Sequence, residues 1–229
     1  RRDEARAAVL ATRSSYGSTV MAATRLKLYW RPMSELPMAA AGGRIVTFQQ
    51  ALVAEASDEA IVEQFVLHGQ SFAVDDSASF QIKQRIAQQF GLNVLTDIFV
   101  VGSAKLGFSI SPRKRWKHFG DQSDVDVAIV SHDLYETVWH EVHDYAMSGA
   151  YWPEREKFIK YLFQGWIRPD YLPSTESFPF SSQWWEFFRG LKAQQLAGPY
   201  KIAAGLYHDF HFLKKYHATA VAGCRPSEE

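Results

Sequence analysis

Two acidic side chains, Asp124 and Asp126, open the run Ser123-Asp124-Val125-Asp126-Val127-Ala128-Ile129-Val130. The alternation of Val125, Val127 and Ile129 predicts a β-strand over Val125–Val130. In a strand, residues i and i+2 share a face, so the two carboxylates project together while Val125 and Val127 point into the core. Paired carboxylates repel and are costly on a partly buried strand unless a divalent cation neutralises them. Magnesium suits the pair, because it takes a few carboxylates and completes its octahedron with waters and substrate phosphates. Upstream, Ile98-Phe99-Val100-Val101 is β-branched and aromatic and ends at Gly102, the pattern of a short buried strand. Gly102-Ser103 then opens a turn or helix whose free N–H groups, with Lys105 nearby, suit a triphosphate. A metal site facing an anion site is the arrangement of phosphoryl or nucleotidyl transfer, where positioning and charge do most of the work.

The chain that must position these groups has 229 residues, 47% hydrophobic and 14% aromatic, which excludes a disordered protein. Its 25 basic and 25 acidic side chains cancel, so bulk charge does not make it a nucleic-acid coat. The charge is nonetheless uneven: Lys105, Arg113, Lys114, Arg115 and Lys117 meet no acid before Asp121. A single cysteine, Cys224, allows no intrachain disulfide and no CxxC metal pair, which points to a reducing compartment, the cytoplasm. No apolar run is long enough to span a bilayer, so no membrane partner is expected.

Residues 1–43 read as an Arg-rich, acid-poor appendage ending in an Ala-Ala-Ala-Gly-Gly linker. That composition is shared by organelle transit peptides, and a start without Met points equally to a truncated or non-native beginning. Helices are predicted from Asp58, capped by Ser57 or Asp58, and over residues 79–90, stopped by Gly91. A further helix follows Ser131, with Leu134, Val138, Val142 and Tyr145 on one face. Residues 154–163, 184–191 and 200–222 also read as helical, and the proline-containing residues 168–182 as an ordered loop or short strand. The expectation is an α/β (α+β) protein: a core over residues 44–172 with a small mixed β-sheet flanked by helices. A helical C-terminal portion, 173–229, would close the cleft.

On these residues the chain resembles the nucleotidyltransferase superfamily of DNA polymerase β-like folds. The signature there is an apolar residue, Gly, Gly or Ser, a spacer, then Asp, apolar, Asp or Glu, apolar. Val101-Gly102-Ser103 and Asp124-Val125-Asp126-Val127 match it, and the likeness covers residues 95–130. The wording Gly102-Ser103-Ala104-Lys105-Leu106-Gly107-Phe108-Ser109 is most similar to bacterial nucleotidyltransferases of defence and toxin systems. The resemblance implies transfer of NMP from a nucleoside triphosphate to a hydroxyl of RNA, another nucleotide or a protein, with release of pyrophosphate. It assigns the phosphates to Gly102, Ser103 and Lys105, with a further contact from Lys201, and Mg2+ to Asp124 and Asp126. Two departures stand out. The spacer is longer than in the family, so Arg113, Lys114, Arg115 and Lys117 form an insertion that would touch a nucleic-acid acceptor. The third carboxylate of polymerizing members has no sure counterpart: Asp170 sits at the right stage of the chain, ahead of Asp209. An antitoxin or effector protein is the further partner implied. The alternative reading is a nucleotide-sensing or nucleic-acid-binding module on the same fold without turnover.

Other features have plainer readings. His140 and His143 miss the four-residue spacing that puts two imidazoles on one helix face, and His208 and His211 read as surface and core of one helix. Trp184, Trp185, Phe187 and Phe188 read as helix core rather than a base-stacking platform.

Overall fold

The computed structural model describes residues 38–54 and 57–226. The Arg-rich stretch before residue 38 lies outside the described residues. The Ala-Ala-Ala-Gly-Gly segment expected to be a linker is instead helical, within α1 (Met38–Val53). Its apolar spacing explains this: Ala41, Phe48 and Leu52 are buried on one face, and Ile45 packs beside them. Phe48 is fully buried and meets Phe65, Phe108 and Trp116 edge-on at 5.3, 5.4 and 6.2 Å.

Helix α2 (Asp58–Ile61) starts at Ser57, whose hydroxyl accepts the Ala60 N–H at 3.1 Å, and widens into a π-helical segment, Val62–Leu67. Helix α3 (Asp76–Phe90) is capped by Asp75, which accepts the Ala78 N–H at 2.8 Å, and stops at Gly91. Strand β1 (Ile98–Val101) leads directly into the short α4 (Gly102–Leu106). Strand β2 (Val125–Val130) is followed by α5 (His132–Met147), capped by Ser131. Helix α6 (Arg155–Leu162), edge strand β3 (Trp166–Ile167) and a 3-10 turn (Pro169–Tyr171) come next. The order ends with α7 (Pro179–Ala193), β4 (Ile202–Tyr207) and α8 (Phe210–Ala222).

The sheet order is β1-β2-β4-β3. Strand β2 runs antiparallel to β1, with Val101 opposite Asp126, and parallel to β4, with Asp126 beside Ala203. The helical expectation over residues 200–222 is therefore corrected: its first third is β4, paired on both sides within the sheet. Ile-Ala-Ala-Gly-Leu-Tyr has little intrinsic strand preference. Its state is set by the ladders that β2 and β3 offer, which is where tertiary context overrides propensity.

Alternation along the strands gives the sheet two apolar faces. Ile98, Val100, Val125, Val127, Ile129, Ile202 and Leu206 face α3, α5, α6 and α7. Val101, Ala128, Val130 and Tyr207 face α1, α2 and α8. The Trp184–Phe188 cluster belongs to the first core, with Phe90 against it at 5.1 Å from Trp184, as the plain reading expected. Among the described residues no helix is long and apolar enough to cross a membrane.

If α1 is part of the second core, Phe48→Ala should destabilise the protein by about 3–5 kcal/mol. Loss of the Ser57 cap in Ser57→Ala should remove only about 1 kcal/mol. Urea unfolding of the two variants checks both values, and a near-zero effect of Phe48→Ala would detach α1 from the fold.

Candidate active site

Register builds the site. Because Val101 pairs with Asp126, the chain leaving β1 crosses the open end of β2, where the acids stand. Gly102 turns there with a left-handed φ of +66°, and a Cβ on it would lie 2.6 Å from Asp126 Oδ2. Both the dihedral and the space demand glycine at this position. Helix α4 then buries Ala104 and Leu106 and leaves Ser103 on the cleft side.

Asp124 lies one residue before β2, but the Val125 N–H donates to the Lys201 carbonyl at 2.8 Å and prolongs the parallel ladder to it. Asp124 and Asp126 line one cleft of about 430 Å³ together with Gly102 and Ser103. Among the described residues neither carboxylate has a hydrogen bond or an ion pair. Asp126 keeps surface open to the cleft, while protein atoms crowd it on its other sides. Desolvation, followed by the charge of Asp124, raises its pKa to about 6, and the more distant Lys114, Lys201 and Arg168 do not offset this.

The long spacer is an ordered hairpin rather than a loose loop. Phe108 bridges His118, the Trp116 N–H donates to the Ser109 carbonyl at 2.8 Å, and the Ser109 N–H to the Lys117 carbonyl at 2.8 Å. Trp116 anchors it against Phe48 and Phe108. Lys114 and Lys117 consequently rim the cleft. Arg113 is exposed away from the cleft lining, and Arg115 reaches the end of α8, where its guanidinium approaches Gly223; burial raises the pKa of the Cys224 thiol, and Arg115 offsets only part of that rise.

On the same cleft, Arg168 is held over Tyr171, Trp166 and Tyr161 at 4.7, 5.1 and 5.3 Å and pairs with Asp170 at 3.0 Å. Trp166 stacks on Tyr207, with centroids 5.4 Å apart and planes at 4°, and meets Tyr216 at 4.5 Å. These rings form an aromatic wall of the cleft. Two buried nitrogens on it, Trp166 Nε1 and His217 Nε2, have no hydrogen-bond partner among the described residues. Burial lowers the His217 pKa to about 4, so the ring is neutral at physiological pH.

Of the residues singled out from sequence, Gly102, Ser103, Asp124, Asp126 and Asp170 come together on this cleft. Lys105 and Lys201 do not. Lys105 is buried on the far side of α4, where its Nζ donates to the Gly69 carbonyl, and burial, with Lys83 and Arg44 nearby, lowers its pKa to about 8. Ser103 and Lys105 are two positions apart on α4, a spacing that sends them to different sides of a helix, so Lys105 lies off this cleft. Lys201 is exposed outside the lining and lies 5.8 Å from the Trp185 ring. Asp209 caps α8, accepting from the His211 and Phe212 N–H groups at 2.7 and 3.3 Å, and is not on the cleft. Sequence reasoning missed Arg168, Trp166, Tyr216 and His217. The Trp-Ile-Arg-Pro-Asp wording was a signal for the first two, whereas nothing in the spacing of α8 marked the others.

Comparison of the chain with family models, with curated proteins and with solved structures gave no match. The site must be read from its own chemistry.

The raised pKa of Asp126 carries a sign. Its contribution to stability is fully present below the ordinary carboxylate range and is lost as pH rises through about 6. Asp126→Asn should therefore melt higher than the native protein at about pH 7.5, by about 1 kcal/mol once solvent in the cleft is allowed for. The difference should vanish only below about pH 3, where the carboxyl is protonated in the unfolded chain as well. Thermal melts across pH decide it, and a variant less stable than the native protein at the higher pH would contradict the strain assigned to this carboxylate.

Proposed function

We propose that the protein is a magnesium-dependent nucleotidyltransferase that moves NMP from a nucleoside triphosphate to a hydroxyl and releases pyrophosphate. The observation that carries the reading is the pair Asp124 and Asp126: two carboxylates that make no ion pair among the described residues, converging on a cleft whose rim is basic. Such a donor set fits a hard divalent ion that binds a few carboxylates and leaves other positions to phosphate oxygens. Asp124 and Asp126 would hold it, and when bound it would supply charge neutralisation at the phosphates and a more acidic attacking hydroxyl.

The remaining roles belong to the chain. Gly102 and Ser103 offer backbone N–H groups at the start of α4, where helix amides lack partners of their own. Lys114 and Lys117 bring positive charge to the same space, and Arg168, fixed by three rings and Asp170, presents a rigid guanidinium. The wall of Trp166 and Tyr216 suits a nucleoside, and the two unpartnered nitrogens are groups a base or its bound water would satisfy. In the transfer, the hydroxyl oxygen would give up its proton to a carboxylate of the cleft and bond to the α-phosphorus, the bond to the bridging oxygen would break, and pyrophosphate would carry away the electron pair.

One observation favours a second reading, a module that binds nucleotide without turnover. The position on β4 level with Asp126 is Ala203, so the neighbouring strand brings no third carboxylate beside the pair. Asp170 is the other acid on the cleft, and Arg168 holds it.

Incubation of the purified protein with each labelled NTP, magnesium and total RNA should give pyrophosphate release and a labelled acceptor. Asp124→Ala/Asp126→Ala should reduce the rate by a factor of about 100 or more, the scale expected when groups that stabilise charge in the transition state are lost. Nucleotide binding without release from any NTP would replace the transferase by the sensing module. Should RNA be the acceptor, Lys114→Ala/Lys117→Ala should weaken its binding and flatten the dependence of log K on log salt by roughly one to two units.

A further inference from the structure

The parallel pairing of β2 and β4 has an effect at the other end of the two strands. Val130 and Tyr207 form the last register pair, and the Ser131 N–H donates to the Tyr207 carbonyl at 3.1 Å. The residues that follow both strands therefore emerge side by side, and they include His132, the first residue of α5, and His208, in the turn before α8. His132 and Glu136 have the four-residue spacing that sets two ligands on one helix face. This is the spacing that His140 and His143 lack, and the third member is 76 residues away in the chain, which is why sequence inspection passed over the group.

His132 Nδ1 lies 2.9 Å from His208 Nε2, and His132 Nε2 lies 3.5 Å from Glu136 Oε1. One ligand atom from each of the three side chains can be chosen with all three within 4.8 Å of one another. The other nitrogen of His208, Nδ1, lies 3.0 Å from Asp209 Oδ2. Donation to that carboxylate leaves the lone pair of His208 on Nε2, facing His132. This is the outer partner that fixes the tautomer of metal-binding histidines. The Tyr135 and Phe212 rings meet the His208 ring edge-on at 5.1 and 5.8 Å and hold its plane.

Protonation states of His132 expose the tension in this arrangement. With its proton on Nε2, two lone pairs meet at 2.9 Å; with its proton on Nδ1, a lone pair faces the Glu136 carboxylate. A neutral His132 leaves one acceptor facing another either way. A cation that accepts all three lone pairs resolves this.

We propose that His132, Glu136 and His208 form a binding site for a borderline divalent transition metal of the zinc class, separate from the carboxylate cleft. Two imidazole nitrogens with one carboxylate are a donor set for Zn2+, Co2+ or Ni2+ and a poor one for Mg2+. Tetrahedral ligation at zinc–nitrogen distances of about 2.0–2.1 Å sets the two nitrogens about 3.3 Å apart. The imidazoles need to part by a few tenths of an ångström, and the His132 side chain, 56% exposed, is free to do so. A metal here ties the start of α5 to the turn that launches α8, the helix that carries Tyr216 and His217 to the cleft. The proposal does not depend on the nucleotidyltransferase reading.

Tag-free protein stripped with chelator and titrated with Co2+ should develop visible ligand-field absorption that saturates at one equivalent. Zn2+ should raise its Tm by roughly 4 °C or more at saturation, as a ligand bound to the native state alone does. His132→Ala and Glu136→Gln, both at accessible positions, should lose the absorption and the Tm rise, whereas Asp124→Asn/Asp126→Asn should keep both. Absence of both signals in the native protein would overturn the site. Signals that survive in His132→Ala and Glu136→Gln would overturn it too, by placing the metal elsewhere.

Discussion

The arrangement depends on keeping two carboxylates at the mouth of a strand that is otherwise buried. From Val127 to Val130 every residue of β2 lies in one of the two cores, while Asp126 faces a cleft and is crowded by its own fold. Like charges so placed do not favour the native state. They are tolerated because the large apolar surfaces on both sides of the sheet outweigh them. The β1–β2 register then decides what can stand beside them. Only a residue without a side chain fits against Asp126 Oδ2 at position 102, so the tight turn into α4 and the acid pair are one structural unit.

Around that unit the fold supplies positive charge from two independent directions. The hairpin after α4 is rooted in the second core by Trp116, whose φ of 65° is unusual for a bulky residue. It delivers Lys114 and Lys117, while Arg168 arrives from the edge strand on a platform of three aromatic rings. Neither source makes an ion pair with Asp124 or Asp126, although Arg168 is paired with Asp170 at 3.0 Å, so the free positive charge facing the acid pair comes from the two lysines. The floor between them is made of small residues. Ala203 and Gly205 keep β4 low, and the Trp166 indole lies so close to Gly205 that a Cβ there would sit 2.4 Å from its Nε1.

The parts of this site that local chemistry dictates were legible in the sequence. Strands β1 and β2 were marked by β-branched runs, and the Ser57, Ser131 and Gly91 helix boundaries by capping chemistry. Asp124 and Asp126 were joined by the two-residue period of a strand. What depended on long-range pairing was not legible. Strand β4 is rich in alanine and glycine, so its propensity pointed to helix. Its pairing with β2 also set Ala203 beside Asp126 and brought His208 to His132, neither of which periodicity encodes. The placement of Lys105 has a different reason: it is close to Gly102 along the chain, but the turn of α4 directs it away from the cleft, against Gly69.

The same pairing links the two ends of the molecule's chemistry. At the open end of β2 and β4 it sets a methyl group level with Asp126, so under the proposed transferase reading a proton leaving an attacking hydroxyl would find its acceptors among Asp124, Asp126 and Asp170, the acids that line the cleft, rather than on the neighbouring strand. Asp126 is suited to share in this, because a carboxylate with its pKa raised to about 6 takes up a proton more readily near neutrality than an ordinary one. A bound cation would oppose that uptake by stabilising the ionised form. The same carboxylate cannot serve fully as ligand and as base at once, which leaves Asp170, held by Arg168, as the acid on the cleft outside that conflict. The reading as a transferase and the reading as a sensor thus divide over how far Asp170 can reach from its partner, a property of the turn after β3 rather than of the acid pair itself.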